Sequence, residues 1–372
     1  MAEKRNRKQA WMYPIVGALL AMLVAQGCRK ETPMPEPEPS GPEPYTLAIP
    51  SHFPPSEPAA DNPLTVRGVE LGRKLFYEGL LSANGNVSCA TCHRQELAFS
   101  DGVAIATHGV SGRPLERHVP VLFNLAWASS GLFWDGGSKN LESQAFGPLT
   151  HADEMGMDLG LLETRLRESA DYPKLFSDAF SDGITAANVA KALAQFQRTL
   201  VSGNSRYDRY TLDGAGPSAL NETELHGLSL VRQKCGGCHS GELFTDNSFH
   251  NNGIDDDFSD DSHEWIHRGR YRITFDPMDL GAFKTPSLRN VMVSAPYMHD
   301  GRFATIEGVL DHYASGIKDS EVTDRLLYQR DGKPGIPMSG DEKEAIVAFL
   351  HTLTDEAFLG DRDFANPNNT KK

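Results

Sequence analysis

Cys89-Ala90-Thr91-Cys92-His93 is the stretch on which the reading of this 372-residue chain turns. Two cysteines three positions apart, followed at once by a histidine, form the signature of covalent c-type haem attachment. On a helical turn, residues three and four apart share a face. Cys89 and Cys92 can therefore both reach the vinyl groups of one porphyrin while His93 turns its imidazole to the iron. The pattern recurs at Cys235-Gly236-Gly237-Cys238-His239, so the chain is read as carrying two haems. The spacing alone also suits a four-cysteine zinc site or two disulfides. Neither explains a histidine directly after the second cysteine in both copies.

Working outward, the start of the chain reads as an address. Lys4, Arg5, Arg7 and Lys8 form a basic region, and the apolar run 11–25 is too short for a comfortable membrane span, so residues 1–27 are read as an export signal peptide. Ala25-Gln26-Gly27-Cys28 looks like the lipobox of a bacterial lipoprotein, although Gln26 fits it imperfectly, and cleavage without lipidation is the alternative. The five cysteines then divide into four for haem and one, Cys28, for a lipid anchor. Residues 28–63 are rich in Pro and Glu and are read as an extended tether without a core of its own. The expected location is the periplasm, with membrane contact only through Cys28.

The formal net charge is −14, with a local cluster at Asp255, Asp256, Asp257, Asp260 and Asp261. That balance argues against nucleic acid and permits a basic protein partner, while the ordinary state of such a cluster is a solvated loop. Apolar residues recur at helical spacing over 161–170, 186–201, 222–234 and 341–353, and no sustained strand pattern competes. The Gly- and Pro-bearing stretch 211–217 is the best internal boundary. The expected fold is mostly α, with two cytochrome c-like domains, each wrapped round one covalently attached haem. Their boundaries are read as 64–214 and 215–355, followed by a polar tail at 356–372.

From about Val69 to Leu353 the chain resembles the bacterial di-haem cytochrome c peroxidase and MauG family. The resemblance rests on Phe133-Trp134-Asp135-Gly136, Gln144-Ala145-Phe146-Gly147-Pro148, Glu154-Met155, the second haem motif, Leu288-Arg289-Asn290-Val291 and Ala295-Pro296-Tyr297-Met298-His299-Asp300-Gly301, in family order. It implies that the first haem meets hydrogen peroxide and that the second, at Cys235, Cys238 and His239, receives electrons. Heterolysis of an O–O bond needs a base and an acid, and one carboxyl group can act as both. The resemblance gives that role to Glu154, makes Gln144 its hydrogen-bonding companion, and places Trp134 between the haems. Taken alone, Glu154 would read as surface charge and Trp134 as core packing.

The sixth iron ligands separate the branches of the family. His108 falls near the place of the distal histidine of the first haem in many of the peroxidases, although the spacing to His118 is slightly long; a solvated loop histidine is the alternative. For the second haem the peroxidases have Met, whereas counting on from Tyr297 lands on Tyr313, as in MauG-like proteins; otherwise Tyr313 is core and Met338 ligates. A phenolate stabilises ferric or higher states, whereas a thioether favours ferrous iron. The family's calcium would take the carbonyls of Ser294 and Pro296, but His118 stands where an Asn is expected, and imidazole suits calcium poorly. Arg289, His299 and Arg302 are expected near haem propionates.

The leading expectation is an enzyme that reduces hydrogen peroxide with electrons from a small cytochrome c or copper protein (a cupredoxin), with a homodimer implied by the resemblance. The first alternative is MauG-like peroxide-dependent oxidation of aromatic residues in a partner protein, although the Trp that MauG carries just before its second haem motif has no counterpart at Gln233-Lys234. The second alternative is a non-enzymatic di-haem electron carrier, which would have no use for Glu154 and Gln144.

Overall fold

The computed structural model describes residues 42–213, 220–259 and 263–370. The export signal, the lipobox with Cys28, residues 28–41 of the expected tether and most of the boundary at 211–217 lie outside them. Eight α-helices of six or more residues are described: α1 (Val66–Phe76), α2 (Leu159–Glu168), α3 (Tyr172–Ala179), α4 (Ala186–Thr199), α5 (Arg206–Asp213), α6 (Glu222–Leu230), α7 (Ile306–Asp311) and α8 (Gly340–His351). Shorter helical turns and irregular segments connect them, at greatest length between α1 and α2 and between α6 and α7. The two-residue strands β1 (Phe249–His250) and β2 (Phe283–Lys284) pair antiparallel, with Phe249 opposite Lys284 and His250 opposite Phe283. Among the described residues no helix is long and apolar enough to cross a membrane.

Capping chemistry sets the helix ends. The Thr65 side chain accepts from Gly68 N–H at the start of α1, and Thr185 does the same for Asn188 N–H in α4. Asn221 with Glu224, and Ser339 with Glu342, form reciprocal capping boxes on α6 and α8. Asp158 caps Leu161 N–H, which starts α2 two residues before the expected 161. The stretch expected as one helix over 222–234 is α6 followed by a wider turn, Val231–Cys235, that leads into the second haem motif.

Two helix pairs carry the two main apolar clusters, and they are built alike. In α1, Leu71, Leu75 and Phe76 are buried on one face and meet Val189, Leu193 and Phe196 of α4. In α6, Leu228 and Leu230 meet Ile346, Phe349 and Leu350 of α8. Each pair crosses at a glycine. A Cβ on Gly72 would lie 1.9 Å from the Ala192 carbonyl oxygen and 2.9 Å from Phe196 Cβ, and one on Gly227 would lie 1.9 Å from the Ala345 carbonyl oxygen and 2.7 Å from Phe349 Cβ. Ala-x-x-x-Phe on the later helix thus receives the glycine of the earlier one in both halves.

Two segments differ from the sequence reading. From Pro42 onward the expected tether is docked. Tyr45 N–H donates to the Leu64 carbonyl at 3.0 Å, Asn62 Nδ2 donates to the Lys191 carbonyl at 3.0 Å, and Phe53, 6% exposed, packs edge-on against Trp127 at 5.4 Å. Proline content hid these few residues that can be buried. At the other end, the segment expected as a polar tail turns back: Phe358 is 3% exposed, with its ring 5.7 Å from Phe99 and 6.0 Å from Phe123 in the first cluster. Tyr77 Oη donates to the Phe364 carbonyl at 2.8 Å, holding that return.

The crossing makes a prediction whose sign decides it. By helix propensity, Gly227→Ala should gain about 1 kcal/mol, yet the added carbon would meet the Ala345 backbone. Chemical denaturation of the holoprotein should show a net loss of stability, and a gain would mean that the helices separate freely.

Candidate active site

The first haem motif forms a single helical turn, Cys89–Cys92, closed by a box in which Ser88 N–H donates to Thr91 Oγ1 at 3.0 Å. The turn puts both thiols and His93 on one cavity of about 50 Å³. His93 Nδ1 lies 2.7 Å from the Phe99 carbonyl, which only accepts, so this nitrogen carries the proton and Nε2 keeps its lone pair. Burial depresses the imidazole pKa to about 4, against the opposing pull of that carbonyl, so the ring is neutral and ready to ligate. The second motif repeats the arrangement. Its cysteines and His239 line a cavity of about 440 Å³, His239 Nδ1 lies 3.2 Å from the Phe244 carbonyl, and burial again lowers the imidazole pKa.

The two cysteines and the neutral histidine of each motif fit the attachment and ligation of a c-type haem. The four thiols are unpaired and divide between two cavities, and no cluster of three or more His, Cys, Asp or Glu able to hold a metal ion occurs among the described residues. The zinc and disulfide readings therefore have no support in the geometry.

Gln144 and Glu154 line the first cavity together with the cysteines. Gln144 ends a one-turn helix, Leu141–Gln144, capped by Asn140. Glu154 is held through its backbone, its N–H donating to the His151 carbonyl at 3.0 Å and its carbonyl accepting from Val110 N–H at 2.7 Å. Its side chain is 36% exposed and otherwise crowded by protein. Burial raises the carboxyl pKa above the usual range, an effect partly opposed by His151, whose Nδ1 lies 3.8 Å from Oε1. His108, the sequence candidate for the distal ligand, is exposed and does not line this cavity, although Gly109 does. A Cβ on Gly109 would lie 1.7 Å from the Asp153 carbonyl oxygen, so the loop rests on the backbone of the segment that carries Glu154.

Tyr313 lies in the wide turn His312–Gly316 that follows α7, and it lines the second cavity, as does Met338. Burial pushes the Tyr313 phenol up to about 12, with Asn252 acting in the opposite direction. Trp134 lines the same cavity and donates from Nε1 to the His118 carbonyl at 2.8 Å. Leu122 and Gln144 line both cavities, so the two haem sites share a wall.

Several expectations are corrected. Arg289 is 1% exposed, with both terminal nitrogens 2.8 Å from the Asp208 carboxylate. Arg302 is held by Asp255 and Asp300. Neither lines the second cavity and each is paired with a carboxylate of the protein, so that Asp255 of the acidic cluster is an ion-pair partner. Asp256 likewise pairs with Lys318, while Asp260 and Asp261 lie outside the described residues. His299 does line the second cavity. Ser294 and Pro296 line it too, but the His118 ring is buried, with Nδ1 2.9 Å from the Val103 carbonyl and Nε2 3.4 Å from Ser100 Oγ. An imidazole at this position is a poor ligand for calcium.

Sequence reasoning missed two charged residues in the second cavity. His250 sits between Asp324 at 2.5 Å and Asp246 at 2.8 Å, and the hydrogen bond to Asp324 first, then the Cys238 sulfur and Asp246, raise its imidazole pKa to about 11 against the opposing effect of burial. The other is Lys284. Only the neighbouring run Leu288-Arg289-Asn290 hinted that this segment matters.

The chain is similar to several known proteins. The profile of the family described as di-haem cytochrome c peroxidase matches residues 66–216. The methylamine utilization protein MauG of Methylorubrum extorquens is 42% identical over 299 residues, covering 79% of this chain and 80% of that protein. Cytochrome-c peroxidase IdrP1 of Pseudomonas sp. is 32% identical over 330 residues, covering 81% of this chain and 84% of that protein. Among solved structures, a MauG-like protein associated with microbial copper homeostasis aligns with a TM-score of 0.78 at 34% identity, covering 87% of this chain and 99% of that one.

Glu154→Gln tests the acid-base assignment. It should leave both haems attached and lower peroxide consumption by about 10²- to 10⁴-fold, the usual weight of one acid-base group. In the native protein the working form is the carboxylate, so consumption should fall as pH drops through a value above the ordinary glutamate range. Stopped-flow rates across pH check both statements, and a variant with native rates removes Glu154 from the chemistry.

Proposed function

The chain belongs to the di-haem cytochrome c peroxidase and MauG family, and on that premise we propose that it is an exported peroxide-consuming enzyme of the MauG kind. In this reading, oxidising equivalents gained from hydrogen peroxide are delivered to aromatic side chains of a partner protein. The observation that carries it is the pairing of two placements: Tyr313 lines the second haem cavity, and His108 stands outside the first. When bound, the two haems supply the redox chemistry, reduction of peroxide at the first iron and sharing of the oxidising equivalents with the second.

The chain's own residues manage protons, access and charge. The Glu154 carboxylate takes the proton from one peroxide oxygen and returns it to the other as that oxygen leaves in water. Gln144 offers an amide N–H to the same reactant from the shared wall. Trp134 places an indole on the second cavity, and a phenolate from Tyr313 would favour the oxidised states of the second haem over electron storage. The two electrons come from the partner's aromatic group. Export through residues 1–27, a lipid anchor at Cys28 and a periplasmic location complete the proposal.

The second reading is a cytochrome c peroxidase that takes electrons from a small cytochrome or copper protein. Met338 on the same cavity, the absence of an aromatic residue at Gln233 and the likeness to IdrP1 favour it.

The two separate in one comparison: peroxide consumption by the fully ferric holoprotein and by protein reduced with one electron beforehand. Rapid consumption by the ferric form, with slow oxidation of reduced mono-haem cytochrome c, is expected. Consumption only after pre-reduction, coupled to fast cytochrome oxidation, would replace the MauG-like reading with a peroxidase gated by a ligand such as His108.

A further inference from the structure

A c-type haem brings two carboxylates as well as an iron, and a half-enclosed cavity must neutralise them or leave them facing water. The cations around the second cavity are mostly committed already. Arg289 is bound to Asp208, Arg302 to Asp255 and Asp300, Lys234 to Glu342, and Arg117 to Asp135. His250 is enclosed by Asp246 and Asp324.

Lys284 differs. It lines the cavity from β2, and its backbone N–H is fixed at 2.8 Å to the Trp134 carbonyl. Its ammonium donates to the Asn247 carbonyl at 2.9 Å and lies 5.3 Å from the centre of the Phe249 ring. Among the described residues no carboxylate is within ion-pair distance, so two of its three donors have no protein acceptor. Burial depresses its pKa to about 8; Asp246 pulls the other way and Arg270 adds to the depression. An ammonium placed like this lacks an anion. A second unsatisfied group shares the cavity: His299 is 4% exposed, its ring stacks on Phe283 at 3.7 Å, and its Nε2 is buried without a partner.

We propose that Lys284 pairs with a propionate carboxylate of the haem held by Cys235, Cys238 and His239. Lys284 is thereby a positioning residue that also adds one positive charge beside this haem. The inference rests on the di-haem reading.

Holoproteins carrying Lys284→Gln and Lys284→Arg test it. Haem content is measured first by the pyridine haemochrome assay, followed by spectroelectrochemical titration of both haems. Loss of a nearby cation favours ferric over ferrous iron, so Lys284→Gln should retain two haems and lower the midpoint potential of one, while Lys284→Arg restores it. Potentials unchanged in a two-haem Lys284→Gln protein, or shifted equally by Gln and Arg, overturn the pairing while leaving the di-haem reading intact. Native protein without haem would instead overturn that reading. Should Lys284→Gln fail to load haem, the propionate bending band in the resonance Raman spectrum of Lys284→Arg decides: a shift from the native position supports the pairing, and an unmoved band removes it.

Discussion

Everything in the two haem cavities depends on how closely one helix approaches another. Gly72 rests on the Ala192 carbonyl, Gly227 rests on the Ala345 carbonyl, and neither contact leaves room for a Cβ. Interiors pack densely enough that a crossing of this kind has no slack. The first brings Phe76 against Phe196, with ring centres 5.4 Å apart, and Phe76 and Leu193 then line the cavity of Cys89 and His93. The second delivers Val231, at the start of the turn leading to Cys235, and Leu350 to the wall of the other cavity. The same local solution, used twice, yields two attachment sites of similar design.

The halves are then made unlike by what else lines each cavity. The first cavity is lined by Glu154, a carboxyl whose pKa is raised by burial, on a segment held by backbone hydrogen bonds and by the Arg113–Asp153 ion pair. The second faces Tyr313, with charged groups arranged around it: the buried Arg289–Asp208 pair, the enclosed His250 and the incompletely satisfied Lys284. An unpaired charge is costly in such surroundings, which is why almost every cation there has its own carboxylate. An acid-base group beside a small cavity suits proton handling, and fixed charge beside a large one suits control of potential.

Segments from the two ends of the described chain fasten this arrangement. Phe53 lies between Trp127 and Leu243 while neighbouring His52 meets Asp208 at 2.8 Å, and Phe358 returns to Phe99 and Phe123. The path therefore crosses between the two apolar clusters more often than two beads on a string would.

The sequence by itself determined the attachment chemistry, because Cys-x-x-Cys-His is complete within one turn and needs no distant partner. It also determined the main helices, whose apolar periodicity and capping residues are local, and the family, whose short runs keep their order. Only the tertiary structure decided what faces each motif. His108, 15 residues after His93, lies outside the cavity because Gly109 rests on the backbone at Asp153, whereas Glu154, 61 residues after His93, lines it. Tyr313, Lys284 and Met338 are brought to the cavity of Cys235 by packing, and no spacing in the chain says which of them the cavity will use. Arg289 and Arg302 read as free cations until their carboxylates were located. The physical reason is the same throughout: covalent attachment and helix propensity act between near neighbours, whereas ligand choice and charge pairing depend on which distant surfaces are buried together.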